Sequence, residues 1–203
     1  MAILSMTLFA CKKEGCTNEL ASNYDAEATK DNGSCEFDTI PQIGANEFLD
    51  ERDGEIYRTV EINGVTWMAE NLRYQTGNQL AYDNDENNVR DHGYLYTYSD
   101  AQTAIPNGWH MATKEEWEAL QAFVNNDHTE LIVGGSLGLD LRYSGLGNPS
   151  GTGFSQMGSS SFFHGYQDQS LAADVSIYDG LADLFVAPDQ TPIDYYSLRL
   201  IQD

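Results

Sequence analysis

Cysteine is confined to the start of this chain: Cys11, Cys16 and Cys35 are all it has in 203 residues. Thiol chemistry in the long remainder is therefore excluded, since the nucleophile or metal ligand would have to be a thiolate. Cationic residues are also scarce. Ten Lys and Arg stand against 32 Asp and Glu, a formal net charge of -22, and phosphate backbones are bound by clustered Lys and Arg. Nucleic acid is accordingly not an expected partner. No Lys or Arg lies between Arg142 and Arg199, a stretch that carries Asp168, Asp174, Asp179, Asp183, Asp189 and Asp194. Histidine is limited to His92, His110, His128 and His164, with no closely spaced pair of the kind that holds a hydrolytic zinc. No G-x-G-x-x-G follows a predicted strand and no Walker A pattern occurs, so a nucleotide site has no support. No apolar run attains the ~20 residues of a spanning helix.

What is present suits one domain of ordinary size with a short appendage. Hydrophobic residues make up 41 % of the chain, with 12 Tyr, 8 Phe and 3 Trp, enough for a core. Two readings of the acidity stand side by side: a solvated surface adapted to cation-rich surroundings, or carboxylates that bind calcium.

Ala2 to Ala10 form a short apolar segment ending in Leu8-Phe9-Ala10-Cys11, which resembles a bacterial lipobox. Cleavage before Cys11 would leave it as the first, lipidated residue. The segment lacks a positively charged start, so residues 1–10 read as a truncated lipoprotein signal peptide. Lys12-Lys13-Glu14 follows, a charged sequence of the sort that directs some lipoproteins to the outer surface. Next comes a cysteine-framed stretch, Gly15-Cys16-Thr17 through Asn23-Tyr24 to Asp31-Asn32-Gly33-Ser34-Cys35. It resembles modules of secreted and surface proteins loosely similar to thrombospondin type 3 repeats. A Cys16–Cys35 disulfide would stabilise so small a unit by roughly 3 kcal/mol on the loop-entropy model. Asn23, Asp25, Glu27, Asp31 and Asn32 set oxygen ligands at close spacing, so calcium is the one cofactor considered, although the pattern is no EF-hand and Asx-rich turns form without metal. Residues 11–37 thus form the lipidated, stapled module and 38–45 a linker.

From 46 to 203 the patterns are those of a mixed domain. Residues Ile56 to Ile62 alternate with period two, and Asn63-Gly64 is a strong hairpin turn before a return strand, Val65 to Met68, with Trp67 in the core. Asp83 to Asn88 read as a solvated loop, because an EF-hand would need Gly where Asn88 stands and Glu where Tyr94 stands. Thr113 and Glu116 form a capping box, and Trp117, Leu120 and Val124 share a face, predicting a helix to about Asn126 packed on the sheet. The run Trp67-Met68-Ala69-Glu70-Asn71-Leu72, then Gly93-Tyr94-Leu95-Tyr96-Thr97-Tyr98, Gly108-Trp109-His110-Met111-Ala112-Thr113-Lys114-Glu115-Glu116-Trp117 and the closing Tyr196 to Asp203 resemble the Fibrobacter succinogenes major paralogous domain. Only about 128 to 190 matches loosely, and the loops expected to shape a pocket fall there.

The resemblance implies an α+β, C-type-lectin-like irregular domain, related in pattern to the formylglycine-generating-enzyme fold, behind the stapled module. It implies strands at Gly93–Tyr98 and at the C-terminus, and structural roles for Trp67, Asn71, Trp109, His110, Thr113, Glu116 and Trp117. Many members carry two cysteines where this chain has Ile105 and Leu200, so these aliphatics are expected to meet in the core. Formylglycine chemistry depends on cysteines that the domain lacks, so no catalytic residues are assigned. The expected role is non-catalytic: an outer-membrane lipoprotein at the cell surface, palmitoylated at Cys11, binding polysaccharide or another envelope protein. Tyr74, Tyr82, Tyr143, Tyr166, Tyr178, Tyr195 and Tyr196 are candidate stacking residues. The alternatives are an enzyme of the formylglycine-generating-enzyme-like superfamily with other chemistry, and an architectural subunit of an envelope assembly.

Overall fold

The computed structural model describes residues 13–17, 23–34, 44–167, 172–190 and 193–203. Contacts divide the chain into two units, Met1–Gln42 and Ile43–Asp203. In the first, β1 (Glu14–Gly15) runs parallel to β2 (Lys30–Asp31), and Cys16 bridges to Tyr24. Cys16 is buried and disulfide-bonded. Cys35, its expected partner, lies outside the described residues, as do Cys11, the expected signal peptide and residues 38–43 of the expected linker.

The second unit is α+β and mostly β. Its first sheet has the order β3-β4-β5-β12-β6: β3 (Glu47–Asp50), β4 (Glu55–Ile62), β5 (Val65–Met68), β6 (Trp109–Met111) and the closing β12 (Leu200–Gln202). The hairpin forms at the expected turn, with Ile62 opposite Val65 and positive φ at both Asn63 and Gly64. The C-terminal strand is inserted between β5 and β6, pairing Ile201 with Trp67 on one side and with His110 on the other. Strand alternation then sends neighbours to opposite faces. Met68 and Leu200 enter one core with Tyr57, Leu72, Tyr96 and Met111, while Trp67 and Ile201 enter another with Trp117, Leu131, Leu141 and Phe163. Ile105 packs against the first of these cores, the one that holds Leu200.

The second sheet, in the order β11-β10-β9-β7-β8, is built from β7 (Ser144–Gly147), β8 (Phe154–Met157), β9 (Ser160–Tyr166), β10 (Ala172–Tyr178) and β11 (Phe185–Gln190). The described residues of the unit also form three short α-helices, α1 (Val89–His92), α2 (Tyr98–Ala104) and α3 (Lys114–Phe123).

Helix α3 begins as expected. Thr113 accepts from the Glu116 amide, and the Glu116 carboxylate accepts from the Thr113 N–H at 2.8 Å. It stops earlier than the predicted Asn126, because Asn125 and Asn126 turn to positive φ and the Asn126 amide donates to the Gln121 carbonyl. The expected strand at Gly93–Tyr98 is corrected as well. Leu95 and Tyr96 make only isolated bridges, to Leu80 and Tyr196, because the Thr97 hydroxyl caps α2 and takes the chain into a helix.

Candidate functional site

Arginine is the key to the site. Arg52, Arg58, Arg73, Arg90, Arg142 and Arg199 are the only arginines in the chain, and all six line one groove of about 1000 Å³. Its walls come from the β3–β4 turn, β4, the segment after β5, α1 and residues 140 and 142. Of the loops of 128 to 190, where a pocket was expected, only the segment holding Asp140 and Arg142 contributes to it; the rest of the wall lies between residues 52 and 94, with Arg199. The reason is local: the β4–β5 hairpin and the Asn71–Tyr74 segment splay polar side chains to one side, and α1 closes the other.

At one end Arg52 grips Asp50 through Nε and Nη2 at 2.8 and 2.6 Å and lies 3.7 Å over the Tyr74 ring. The Asp50 hydrogen bond outweighs burial and raises the Arg52 pKa. In the middle, Arg73 binds Glu70 and Glu55 and sits 4.4 Å over the Tyr57 ring. Arg58 pairs with Glu70 at 3.0 Å and with Asp140 at 2.8 Å. Burial pushes the Glu70 carboxyl up, but Arg73 and Arg58 together overcome it and hold its pKa below the usual value. Tyr94 donates to Glu86 at 2.6 Å and accepts from Gln75 at 2.8 Å. The groove is thus a set of paired forks with aromatic faces.

The far end differs. Among the described residues the guanidinium groups of Arg90 and Arg142 have no hydrogen bond or ion pair, and Arg199 has no carboxylate partner. Arg199 is 1 % exposed. Its Nε donates to Asn71 Oδ1 at 2.7 Å, Nη1 to the carbonyls of Met68 and Leu139, each at 2.9 Å, and Nη2 to that of Asp140 at 2.9 Å. Burial pushes its pKa down to about 9, so it stays charged at neutral pH. Asn71 in turn donates to the His92 carbonyl at 2.7 Å and to the hydroxyls of Ser144 and Ser197 at 3.2 and 3.3 Å. One amide therefore ties the end of β5, α1, β7 and the closing segment together, which explains Asn71 without chemistry. His92 Nδ1 meets Ser144 Oγ at 3.2 Å, and burial and then the Arg142 charge lower its pKa.

The other motif residues are structural in their surroundings. Trp67 and Trp117 meet at 4.9 Å, and Trp109 lies 4.8 Å from Phe48. His110 sits between Asp203 at 2.7 Å and Glu116 at 3.0 Å. Burial lowers its pKa, but those two carboxylates prevail and raise it. A raised folded pKa contributes stability below the unfolded value near ~6.5 and loses it as pH rises through the folded value. His110→Gln is expected to lower the thermal midpoint more at pH ~5.5 than at pH ~9; an equal loss at both would show that the two ion pairs contribute nothing. His128 and His164 lie elsewhere, the first against Tyr143 and the second fully buried with Nε2 donating to the Tyr96 carbonyl. Burial lowers the His164 pKa to about 4. The four histidines do not converge.

Of the tyrosines singled out from sequence, Tyr74 lines the groove, whereas Tyr82 and Tyr196 are buried. Tyr94 lines it too, and its place after Gly93 carried no sequence signal for this. The calcium candidates are engaged otherwise. Lys13 contacts Asp25 at 2.8 Å and Glu27 at 2.9 Å, Asn23 donates to the Ser34 carbonyl, and Asn32 accepts from Ser34. The Asp31 side chain lies outside the described residues. No group of three His, Cys, Asp or Glu suited to a metal occurs among the described residues, and no described helix is long and apolar enough to cross a membrane.

A family model for the Fibrobacter succinogenes major domain matches residues 60–176. No curated protein and no solved structure matches the chain.

Proposed function

The chain belongs to the Fibrobacter succinogenes major domain family, and from the arginine-lined groove we propose that it is a cell-envelope lipoprotein whose second unit binds polysaccharide without catalysis. The observation that carries this reading is the groove wall itself. Sugars present dense arrays of hydroxyls, and the wall offers guanidinium–carboxylate pairs, the Gln75 amide and the partly exposed Tyr74 that carries Arg52. Protein interfaces are depleted in Asp and Glu, whereas Asp53, Glu55, Glu70, Glu86, Asp91 and Asp140 all line this groove. The scattered histidines and the thiol-free domain favour binding over turnover.

The finer fold reading belongs here as well. A closing strand held within the sheet of the opening hairpin, beside a capped helix, suits a C-type-lectin-like unit. The envelope address rests on Leu8-Phe9-Ala10-Cys11 and on a following cysteine module that suits an oxidising compartment.

Affinity electrophoresis of the soluble protein through gels carrying soluble polysaccharides tests the binding. Retardation is expected with at least one polysaccharide, and Tyr74→Ala should weaken it about tenfold by removing the ring on which the Arg52 fork is held. Unchanged retardation of the variant, or none for the wild type on any gel, would overturn the groove reading. In cells, Cys11→Ser should abolish incorporation of labelled palmitate; persistent labelling would sink the lipoprotein assignment.

A further inference from the structure

We propose that the groove selects an acidic glycan, seating a carboxylate or sulfate ester of the sugar against Arg90 and Arg142; the inference rests on the polysaccharide reading above and deepens it. Four of the six arginines are accounted for by the fold. Arg52, Arg58 and Arg73 hold carboxylates, and Arg199 is sealed behind the wall by Asn71 and three backbone carbonyls. Arg90 is exposed and Arg142 half-buried, and neither guanidinium has a partner among the described residues.

They belong to the same end of the groove. Arg90 shares α1 with His92, whose Nδ1 touches the Ser144 hydroxyl at 3.2 Å, and Arg142 lies two residues before that serine. The Arg142 charge acts on both His92 and Arg199, with Asp91 opposing it at the first and Glu70 and Asp140 at the second. Asp91 beside Arg90 and Asp140 beside Arg199 are opposing charges at this end, but neither pairs with the Arg90 or Arg142 guanidinium.

A chain with a net charge of -22 gains no solubility from grouping its few arginines, and the Arg142 charge opposes that of the buried Arg199. An anion relieves that repulsion, and guanidinium forks match carboxylate and sulfate oxygens in pairs. The adjoining forks and the Gln75 amide would then hold the neutral hydroxyls of the same sugar chain. An acidic peptide would meet the two arginines but leave those polar walls largely unused.

The test is calorimetric titration of the mature soluble protein with oligogalacturonate, with the same oligomer methyl-esterified, with a sulfated oligosaccharide and with oligoglutamate. The free acid or the sulfated sugar is expected to bind about tenfold or more tightly than the ester, as charge-assisted pairing implies. Whichever of the two binds better identifies the anionic group. In an Arg90→Gln, Arg142→Gln double variant the advantage over the ester should vanish, with the thermal midpoint unchanged because neither side chain supports the fold. Equal binding of acid, sulfated sugar and ester would overturn the anion inference while leaving the polysaccharide reading intact. Oligoglutamate binding as tightly as the acidic sugars would overturn the glycan class, and no binding by any sugar would overturn both readings.

Discussion

Arg199→Ala is expected to lower the free energy of unfolding by about 3–5 kcal/mol, a large share of the stability of an ordinary domain. The side chain is 1 % exposed and lies at the junction of the closing segment, the end of β5 and residues 139 and 140. Its removal leaves three backbone carbonyls and the Asn71 amide oxygen without their donor, each at a cost of about 1–3 kcal/mol before relaxation. It also empties the volume of the guanidinium arm. The losses do not add in full, because water can enter from the groove. Arg199→Lys should recover less than half, since a point-like ammonium cannot serve acceptors arranged around a planar fork. Urea unfolding with far-UV circular dichroism reads both. A midpoint for the alanine variant within about 0.5 kcal/mol of wild type, the scale of an ordinary surface change, would show that the buried charge is not a clamp.

Gly93→Ala should cost about 2–4 kcal/mol, from two independent causes. The residue sits at φ 73° and ψ -178°, a region that residues with a Cβ essentially do not occupy. A Cβ built there would also stand 2.5 Å from the Asn71 Cβ and 2.9 Å from the Leu72 carbonyl oxygen. Backbone cannot yield as a flexible side chain does, so α1 would have to lift away from Asn71. Gly64 supplies the comparison, with φ +78° but nothing within 4 Å of its Cβ, so Gly64→Ala should carry only the conformational cost of about 1 kcal/mol. If the two glycine variants prove equally stable, the close approach of α1 to Asn71 contributes nothing. Because Gly93 and Arg199 both act through Asn71, the Arg199→Ala, Gly93→Ala double variant should fall short of the summed losses.

The capping box, the Asn63-Gly64 hairpin and the burial of Trp67 and Trp117 were readable because each is a short-range matter. A threonine with a glutamate three residues on, or two residues able to take positive φ, carries its own geometry. The Gly93–Tyr98 segment misled because β-forming tyrosines say nothing about whether a partner strand runs alongside. Thr97, a good cap, decided for helix. The second sheet was hardest to read, since β7, β8 and β9 lie in a glycine-rich region where period-two alternation is weak.

Sequence alone determined the local elements of this protein, its family likeness, its excess of carboxylates and the absence of thiols from its main domain. These properties depend on composition or on neighbours a few residues apart. Only the tertiary structure decided that residues as distant as Arg52, Arg90 and Arg199 share one groove, and that Asn71 and Arg199, 128 positions apart, hold each other. Such meetings are set by which strands pair: inserting the last strand between β5 and β6 brings the chain's end to its middle, and no pattern along the sequence encodes that distance.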